Sequence, residues 1–427
     1  MGREEIFMAK QITIAILGCG GRGATYSKHM SKYPDKFKTV ALCDPYKRQL
    51  EKLHELYGLE DAAEFLDADE FLKEKRADVL IIATPDRQHF EQAIRGMELG
   101  YDLLLEKPIS DSREEIDRLL ETQKRTGSRV VVCHELRYGK GFLKCEEILN
   151  SGRLGRLYAI DASERVAYWH WAMSYVREPG ALLENGFPGI LAKCSHDLDL
   201  VQAYAKSECD TVSSIGDLTF FKEENAPEGA ANRCVLCKHM ETCPYSAKRI
   251  YVDDWHKAGE PRFSWPYSKI SLQVPLTEDA LMKGITEGPL GRCAFKCPTD
   301  LVDHQMVQMQ FKNGVKASLK MLFGGDVGRR YVFFCTMGEL VFDERDAAIV
   351  VMPYGEDKEI ITEFGDPQEN KRGHGGGDSE LLLELYNVVT GASAGKTTLK
   401  ESVECHLMGI SAEESRHAGG ALVKVHR

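Results

Sequence analysis

Long apolar runs are missing from this chain. No stretch approaches the roughly 20 apolar residues that a membrane-crossing helix needs. The opening residues, Met1 to Lys10, have no apolar core of the kind a secretory leader carries. An excess of positive charge is missing too: 55 Lys and Arg stand against 66 Asp and Glu, a net charge of -11. That balance disfavours nucleic acid and anionic membranes as partners, since both select a basic face. Compositional bias is also absent. A chain that is 43% hydrophobic and 28% charged is ordinary for a globular protein, which argues against fibrous and disordered classes. A cytoplasmic location is the expectation. The 427 residues suggest two or three domains. Cysteine is plentiful, at 13. Several, such as Cys43, Cys133 and Cys335, lie in strand-like runs, where buried reduced thiols are expected rather than disulfides.

The first third alternates short apolar runs with helix-like stretches. Strands are expected at 12–17, 39–43, 79–83, 102–105 and 130–133. Helices are expected at 26–33, 46–57, 87–99 and 113–126. This pattern predicts a parallel sheet covered on both faces, a Rossmann doubly wound α/β domain at 1–150. The turn after the first strand reads Gly18-Cys19-Gly20-Gly21-Arg22-Gly23, a G-x-G-x-x-G pattern. It follows a strand, opens a helix and has Asp44 about 20 residues further on, the arrangement that binds dinucleotides. Gly18 permits the tight turn, Gly20 lets the backbone approach a pyrophosphate, and Gly23 allows close helix–strand packing. The helix N-terminus offers N–H groups and partial positive charge to phosphate. Asp44 is placed to accept from a ribose diol and to repel a 2′-phosphate, favouring NAD over NADP; nearby Arg48 softens that preference. The alternative for Asp44 is a turn residue before Pro45.

A Gly-rich turn, then Ala83-Thr84-Pro85-Asp86 after a strand, then Glu106-Lys107-Pro108 after the next strand, resembles the Gfo/Idh/MocA oxidoreductase family. The resemblance covers nearly the whole chain. It implies that Thr84, Pro85, His89 and Glu106 join Gly18, Gly20, Gly21, Arg22, Gly23 and Asp44 at the cofactor. It implies that Lys107 lies at the nicotinamide and orients substrate or relays a proton. From the residues alone, Lys107 follows the apolar run 103–105, at the carboxyl end of a strand where ligands bind in open α/β sheets. The alternative is a surface turn.

Beyond a turn at 151–156 the pattern changes to long β-type runs at 157–166, 213–221, 306–311, 315–323, 331–336 and 348–352. The Asn-Gly signal in Lys312-Asn313-Gly314 predicts a hairpin. A mainly antiparallel C-terminal domain is expected over 151–427. The family resemblance implies an open-faced α/β domain whose free sheet face pairs subunits, hence a homodimer or homotetramer.

The helix-like stretch opened by Lys193-Cys194-Ser195-His196-Asp197 looks like the family's histidine motif. That resemblance casts His196 as general acid/base, a role suited to a group titrating near neutrality. The alternative is a histidine satisfied by Asp199 at i,i+3. Polyol dehydrogenases of the family place an aspartate four residues before this histidine; Ala192 stands here instead. Lys193 replaces the missing polar group if burial lowers its pKa, or else points at solvent.

Resemblance to one branch of the family brings further substrate candidates. His170, Tyr175 and Arg177 end the first strand of the second domain and suit a sugar. His134 and Arg137 follow the last parallel strand. Asp300 and His304 precede the strand at 306, and His374 lies in a glycine-rich loop ending in the helix cap Asp378.

Residues 222–300 hold seven of 15 prolines and five of 13 cysteines. They read as an insertion with little core of its own, which needs a staple. Cys234, Cys237 and Cys243 have C-x₂-C-x₅-C spacing, with Cys293 the preferred fourth ligand and Cys297 the other choice. Four thiolates suit a structural zinc ahead of an iron–sulfur cluster; packed free thiols are the alternative. The expected function is an NAD-dependent oxidoreductase acting on a sugar, glycoside or polyol. The rivals are a glycoside-cleaving enzyme that retains NAD and a non-catalytic NAD-binding regulator.

Overall fold

The computed structural model describes residues 10–324, 327–364 and 375–426. The chain divides into two compact units. The first takes residues up to Ile109, then Glu114–Glu135 and Asp378–Glu401; the second takes Ser110–Arg113, Leu136–Gly377 and Ser402–Arg427. The chain passes from the first unit to the second at 135/136, and a C-terminal segment returns to the first unit.

The first unit is built on six parallel strands. They are β1 (Ile12–Leu17), β2 (Phe37–Cys43), β3 (Ala63–Phe65), β4 (Val79–Ile82), β5 (Asp102–Leu105) and β6 (Val130–Val132), in the order β3-β2-β1-β4-β5-β6. Helices α1 (Gly21–Met30), α2 (Lys47–Tyr57), α3 (Ala68–Phe71), α4 (His89–Glu98) and α5 (Arg113–Thr126) alternate with them. Every residue of β4 is buried, because helices cover both faces of a parallel sheet. Short β3, with two of its three residues exposed, lacks that apolar signature and escaped the sequence pattern. The strand order reverses between β1 and β4, the crevice where such sheets bind ligands.

The second unit carries α6 (Lys140–Asn150), β7 (Leu157–Val166), α7 (Tyr168–Ala172), α8 (Gly189–Ala192), α9 (Ser195–Ala205) and β8 (Cys209–Asp217). After the insertion, with short α10 (Asp254–Lys257) and α11 (Glu278–Glu287), come β9 (His304–Phe311), β10 (Lys316–Phe323), β11 (Gly328–Cys335), β12 (Gly338–Asp343), β13 (Ala348–Pro353) and β14 (Glu359–Ile361). The chain closes with α12 (Gly377–Thr390), α13 (Leu399–His417) and β15 (Val423–Lys424). The nine-stranded sheet runs β14-β13-β12-β11-β7-β10-β9-β8-β15, and its pairs are antiparallel except β7–β10. Along β9 buried and exposed residues alternate, so one sheet face meets the core and the other is open. The expected hairpin joins β9 to β10, with Gly314 at φ +96°.

Two expectations are corrected. The first β-run after α9 spans Cys209–Asp217 rather than 213–221, because Phe220 and Phe221 leave the sheet to pack with Tyr245, Phe295 and Phe323. The insertion also has a real core: Ile250, Tyr251, Trp255, Tyr267, Leu281 and Ile285 are buried together with Cys234 and Met173.

Candidate functional site

The glycine turn divides into closed and open positions. Gly18 has φ +93°, and a Cβ there would lie 2.4 Å from the Ala83 carbonyl oxygen. A Cβ on Gly23 would lie 2.2 Å from the Gly18 carbonyl oxygen. These two glycines let the turn close onto β4 and α1 onto the turn. At Gly20 and Gly21 a Cβ would meet nothing within 4 Å. The open pair fronts the N-terminus of α1, which has no side-chain cap and no acidic residue in its first turn. Free N–H groups, partial positive charge and open space fit a pyrophosphate.

Asp44, at the end of β2, is buried. Its Oδ2 accepts from the Cys19 N–H at 2.9 Å and its Oδ1 from the Tyr46 N–H at 2.9 Å. The carboxylate therefore performs the turn role and also carries negative charge to the glycine turn. Arg48 pairs along its own helix with Glu55 and Glu51.

The Arg22 side chain turns toward a group of carboxylates. Its guanidinium reaches Glu106 at 2.5 Å, Asp378 at 2.7 Å, the Tyr26 hydroxyl at 2.7 Å, and Glu135. Buried carboxylates are costly unless paired, and they draw this cation inward. Tyr26 also donates to Glu106 at 2.6 Å. Burial pushes the Glu106 carboxyl up, but Arg22, Lys107 and the Tyr26 hydroxyl outweigh it and hold the group below the usual carboxylate range. Asp378, read as a helix cap, lies in the first turn of α12 and faces Arg22 instead.

Lys107 follows β5 and is half-buried; its N–H donates to the Glu106 Oε2 at 3.2 Å. His89 is corrected from cofactor contact to brace. It is buried, with Nδ1 2.8 Å from the Pro108 carbonyl and Nε2 2.9 Å from the Thr84 carbonyl. One ring thus ties the Thr84-Pro85 turn to the Glu-Lys-Pro turn. Thr84 donates its hydroxyl to Gln92 at 2.6 Å, and Pro85 is exposed.

In the second unit His196 is buried in the first turn of α9. The carboxylates of that helix face other cations. Asp197 accepts from Arg329 at 2.9 Å and from the Tyr331 hydroxyl at 2.9 Å. Asp199 accepts from Arg137 at 3.2 Å. Burial pushes the Asp199 carboxyl up to about 6, against the lowering effect of Arg137. Lys193 points neither at solvent nor at an empty position: its ammonium lies 3.1 Å from Glu164, which also pairs with Arg329.

His170 and Tyr175 belong to an aromatic ledge. His170 lies 4.9 Å from Trp265 and 6.0 Å from Tyr175 between ring centres, and Trp169 lies 5.1 Å from Trp265. Trp265, 48% exposed, went unnoticed in the sequence. The available signal was scarcity, since three of only four tryptophans (Trp169, Trp171 and Trp265) fall at or beside this ledge.

Arg177 is corrected: it is fully buried and faces no sugar. It donates to the Arg292 carbonyl at 2.7 Å and the Tyr245 carbonyl at 2.5 Å. Asp300 accepts from the Leu183 N–H at 2.9 Å, fixing a loop. His304 lies 2.8 Å from Asp303, itself buried and holding the Thr219 and Phe220 N–H groups. His134 is fully buried after β6. His374 lies outside the described residues.

The cysteine expectation gains a shape. Cys234, Cys237, Cys243 and Cys293 line one small pocket. Cys297 is not among its lining residues.

Residues 12–134 match the model of the Gfo/Idh/MocA oxidoreductase family, NAD-binding Rossmann fold. The chain is 24% identical over 423 residues to YteT of Bacillus subtilis, named as an oxidoreductase, covering 89% of this chain and 92% of that one. It is 27% identical over 210 residues to the scyllo-inositol 2-dehydrogenase (NAD(+)) of Bacillus subtilis, covering 49% of this chain and 58% of that one. The fold superposes on levoglucosan dehydrogenase in complex with NADH and L-sorbose, with a TM-score of 0.71 at 15% identity, over 98% of this chain and 100% of that one. Residues 12–134 thus carry the NAD-binding Rossmann fold of the Gfo/Idh/MocA oxidoreductase family.

Proposed function

We propose that the protein is an NAD-dependent dehydrogenase that moves hydride between nicotinamide and a carbinol carbon of a sugar, glycoside or polyol. The observation that carries this reading is the glycine turn, closed at Gly18 and Gly23 and open at Gly20 and Gly21 over a helix N-terminus. Asp44 at the end of β2 favours NAD over NADP, because its carboxylate repels a 2′-phosphate and Arg48 is engaged with Glu55. Support for the substrate class comes from the ledge of Trp169, His170, Tyr175 and Trp265, since apolar sugar faces pack on aromatic rings. The inositol and levoglucosan dehydrogenases among its relatives point the same way.

When bound, NAD supplies the hydride acceptor. Lys107 brings a cation to the substrate oxygen at the end of β5, and a ring nitrogen of His196 takes the hydroxyl proton. Lys193, engaged with Glu164, supports the entry of α9 rather than the proton transfer. The open sheet face, with Tyr158, Ile215 and Met306 exposed, is the surface through which subunits pair as a dimer or tetramer.

The test begins with purified protein and no added nucleotide, denatured so that released nucleotide can be counted. Protein largely free of nucleotide, which binds added NAD and forms NADH with sugars or polyols, is the expected result. NAD(H) retained near one per chain would favour the glycoside-cleaving alternative. Failure to bind nucleotide would overturn the reading. His196→Ala should keep NAD affinity and lower kcat by roughly 10²–10⁴-fold; unchanged turnover would remove His196 from the reaction.

A further inference from the structure

The insertion brings two distant cysteine segments together. An antiparallel bridge pairs Arg233 with Arg292, and the Cys293 N–H donates to the Asn232 carbonyl at 2.8 Å. Cys234 and Cys293 are thereby held as neighbours. Tight turns carry the others: the Cys237 N–H donates to the Cys234 carbonyl at 3.1 Å, and the Cys243 N–H to the His239 carbonyl at 2.8 Å.

A second observation points to an anion in the cavity. Arg177 lines it, is fully buried and places Nη2 3.7 Å from the Cys234 sulfur. Its Nη1, near the Tyr251 hydroxyl, makes no hydrogen bond of good geometry among the described residues. No carboxylate lines the cavity. A fully buried guanidinium without an acidic partner is costly. Ligated thiolates would supply the missing negative charge.

The sulfurs are set more widely than a single ion would hold them. A single zinc ion with four sulfurs at about 2.3 Å holds them about 3.8 Å apart. Among the described residues, the sets of three possible ligand atoms lying mutually within 4.8 Å do not include these sulfurs. A cube of iron and sulfide spreads its four thiolate ligands farther apart than one ion does. We propose that Cys234, Cys237, Cys243 and Cys293 hold a [4Fe–4S] cluster that staples the insertion, with Arg177 as its buried counter-cation. This replaces the zinc that the cysteine spacing first suggested. The cluster takes no part in the hydride chemistry, because all four ligands come from the protein and no iron is left open.

The centre is bound to the second unit's own core. Cys234 packs with Met173, Tyr251 and Trp255, and Trp169 lies against the same group. Loss of the cluster should therefore loosen the aromatic ledge while leaving the glycine turn intact.

The test is to purify the full chain without oxygen or chelator and to measure iron, acid-labile sulfide and zinc. Expected are about four iron and four sulfide per chain, with a broad visible absorption that dithionite bleaches. Cys237→Ser, at a half-exposed position, should lower the iron content several-fold while the protein still binds NAD. Stoichiometric zinc would overturn the cluster. So would metal-free protein in which all four thiols are alkylated without denaturant. The count on the parent protein decides the matter even if the variant fails to fold.

Discussion

Arg22 and Arg177 both sit where the sequence promises a ligand, and both turn inward. Arg22, 30% exposed, is surrounded by three carboxylates and a tyrosine hydroxyl. Arg177, fully buried, finds two carbonyls and a thiol. The first region surrounds its arginine with negative charge from its own side chains. The second has satisfied the hydrogen bonds of its arginine only in part and its charge not at all. Burial of an arginine therefore says little about ligands until its partners are counted; a remaining imbalance is the informative sign.

Three substitutions would break or sharpen that contrast. Arg22→Ala should have the largest effect, since it strands Glu106, Glu135 and Asp378 together; about 3–5 kcal/mol of stability should be lost in denaturant unfolding. A loss below about 1 kcal/mol would mean that water reaches those acids freely.

Arg137 and Asp199 form an intermediate case, one arginine against one buried carboxylate. A carboxyl raised to about 6 in the fold binds its proton more tightly there than in the unfolded chain. Its contribution is complete below the ordinary value near 4 and is lost as pH rises through about 6. Asp199→Asn should remove a decline on the order of 2–3 kcal/mol from the pH–stability curve over that window. Glu106 has the opposite sign: held low, it contributes above the ordinary carboxylate range and loses that contribution as pH falls below it. A curve for Asp199→Asn that still declined between about 4 and 6 would show that other groups set the slope.

Arg177→Gln in metal-free protein should have the smallest effect, about 1–3 kcal/mol, because the partners it abandons are neutral carbonyls. A loss equal to that of Arg22→Ala would place an anion beside Arg177 even without metal.

The first unit was the more legible. Continuous apolar strands, alternating helices and a glycine turn are local signals, and β1, β5 and α5 fall where the sequence put them. Lys107 and His196 stand out by motif, but their partners do not. Nothing local in the sequence joins Arg22 to Glu135 and Asp378, which are more than 100 residues away. The role of His89 depends on two carbonyls of neighbouring turns, so its identity alone announced only a polar ring. In the insertion the spacing Cys234-x₂-Cys237-x₅-Cys243 was visible, whereas the choice of Cys293 over Cys297 needed the bridge between Arg233 and Arg292. The insertion core was hidden because its apolar residues follow neither helical nor strand periodicity across short turns.

The return of residues 378–401 to the first unit has a consequence for the order of events at the ribosome. Tyr386 packs edge-on against Phe37, the Arg129 side chain donates to the Val388 and Val389 carbonyls, and the Val132 N–H donates to the Thr397 carbonyl. The six strands of the nucleotide unit precede residues 378–401 in the chain, so these contacts wait until that later segment has emerged. This unit is thus completed only after the strands of the second unit have been made, and a release of the chain before residue 378 would leave it with an open seam.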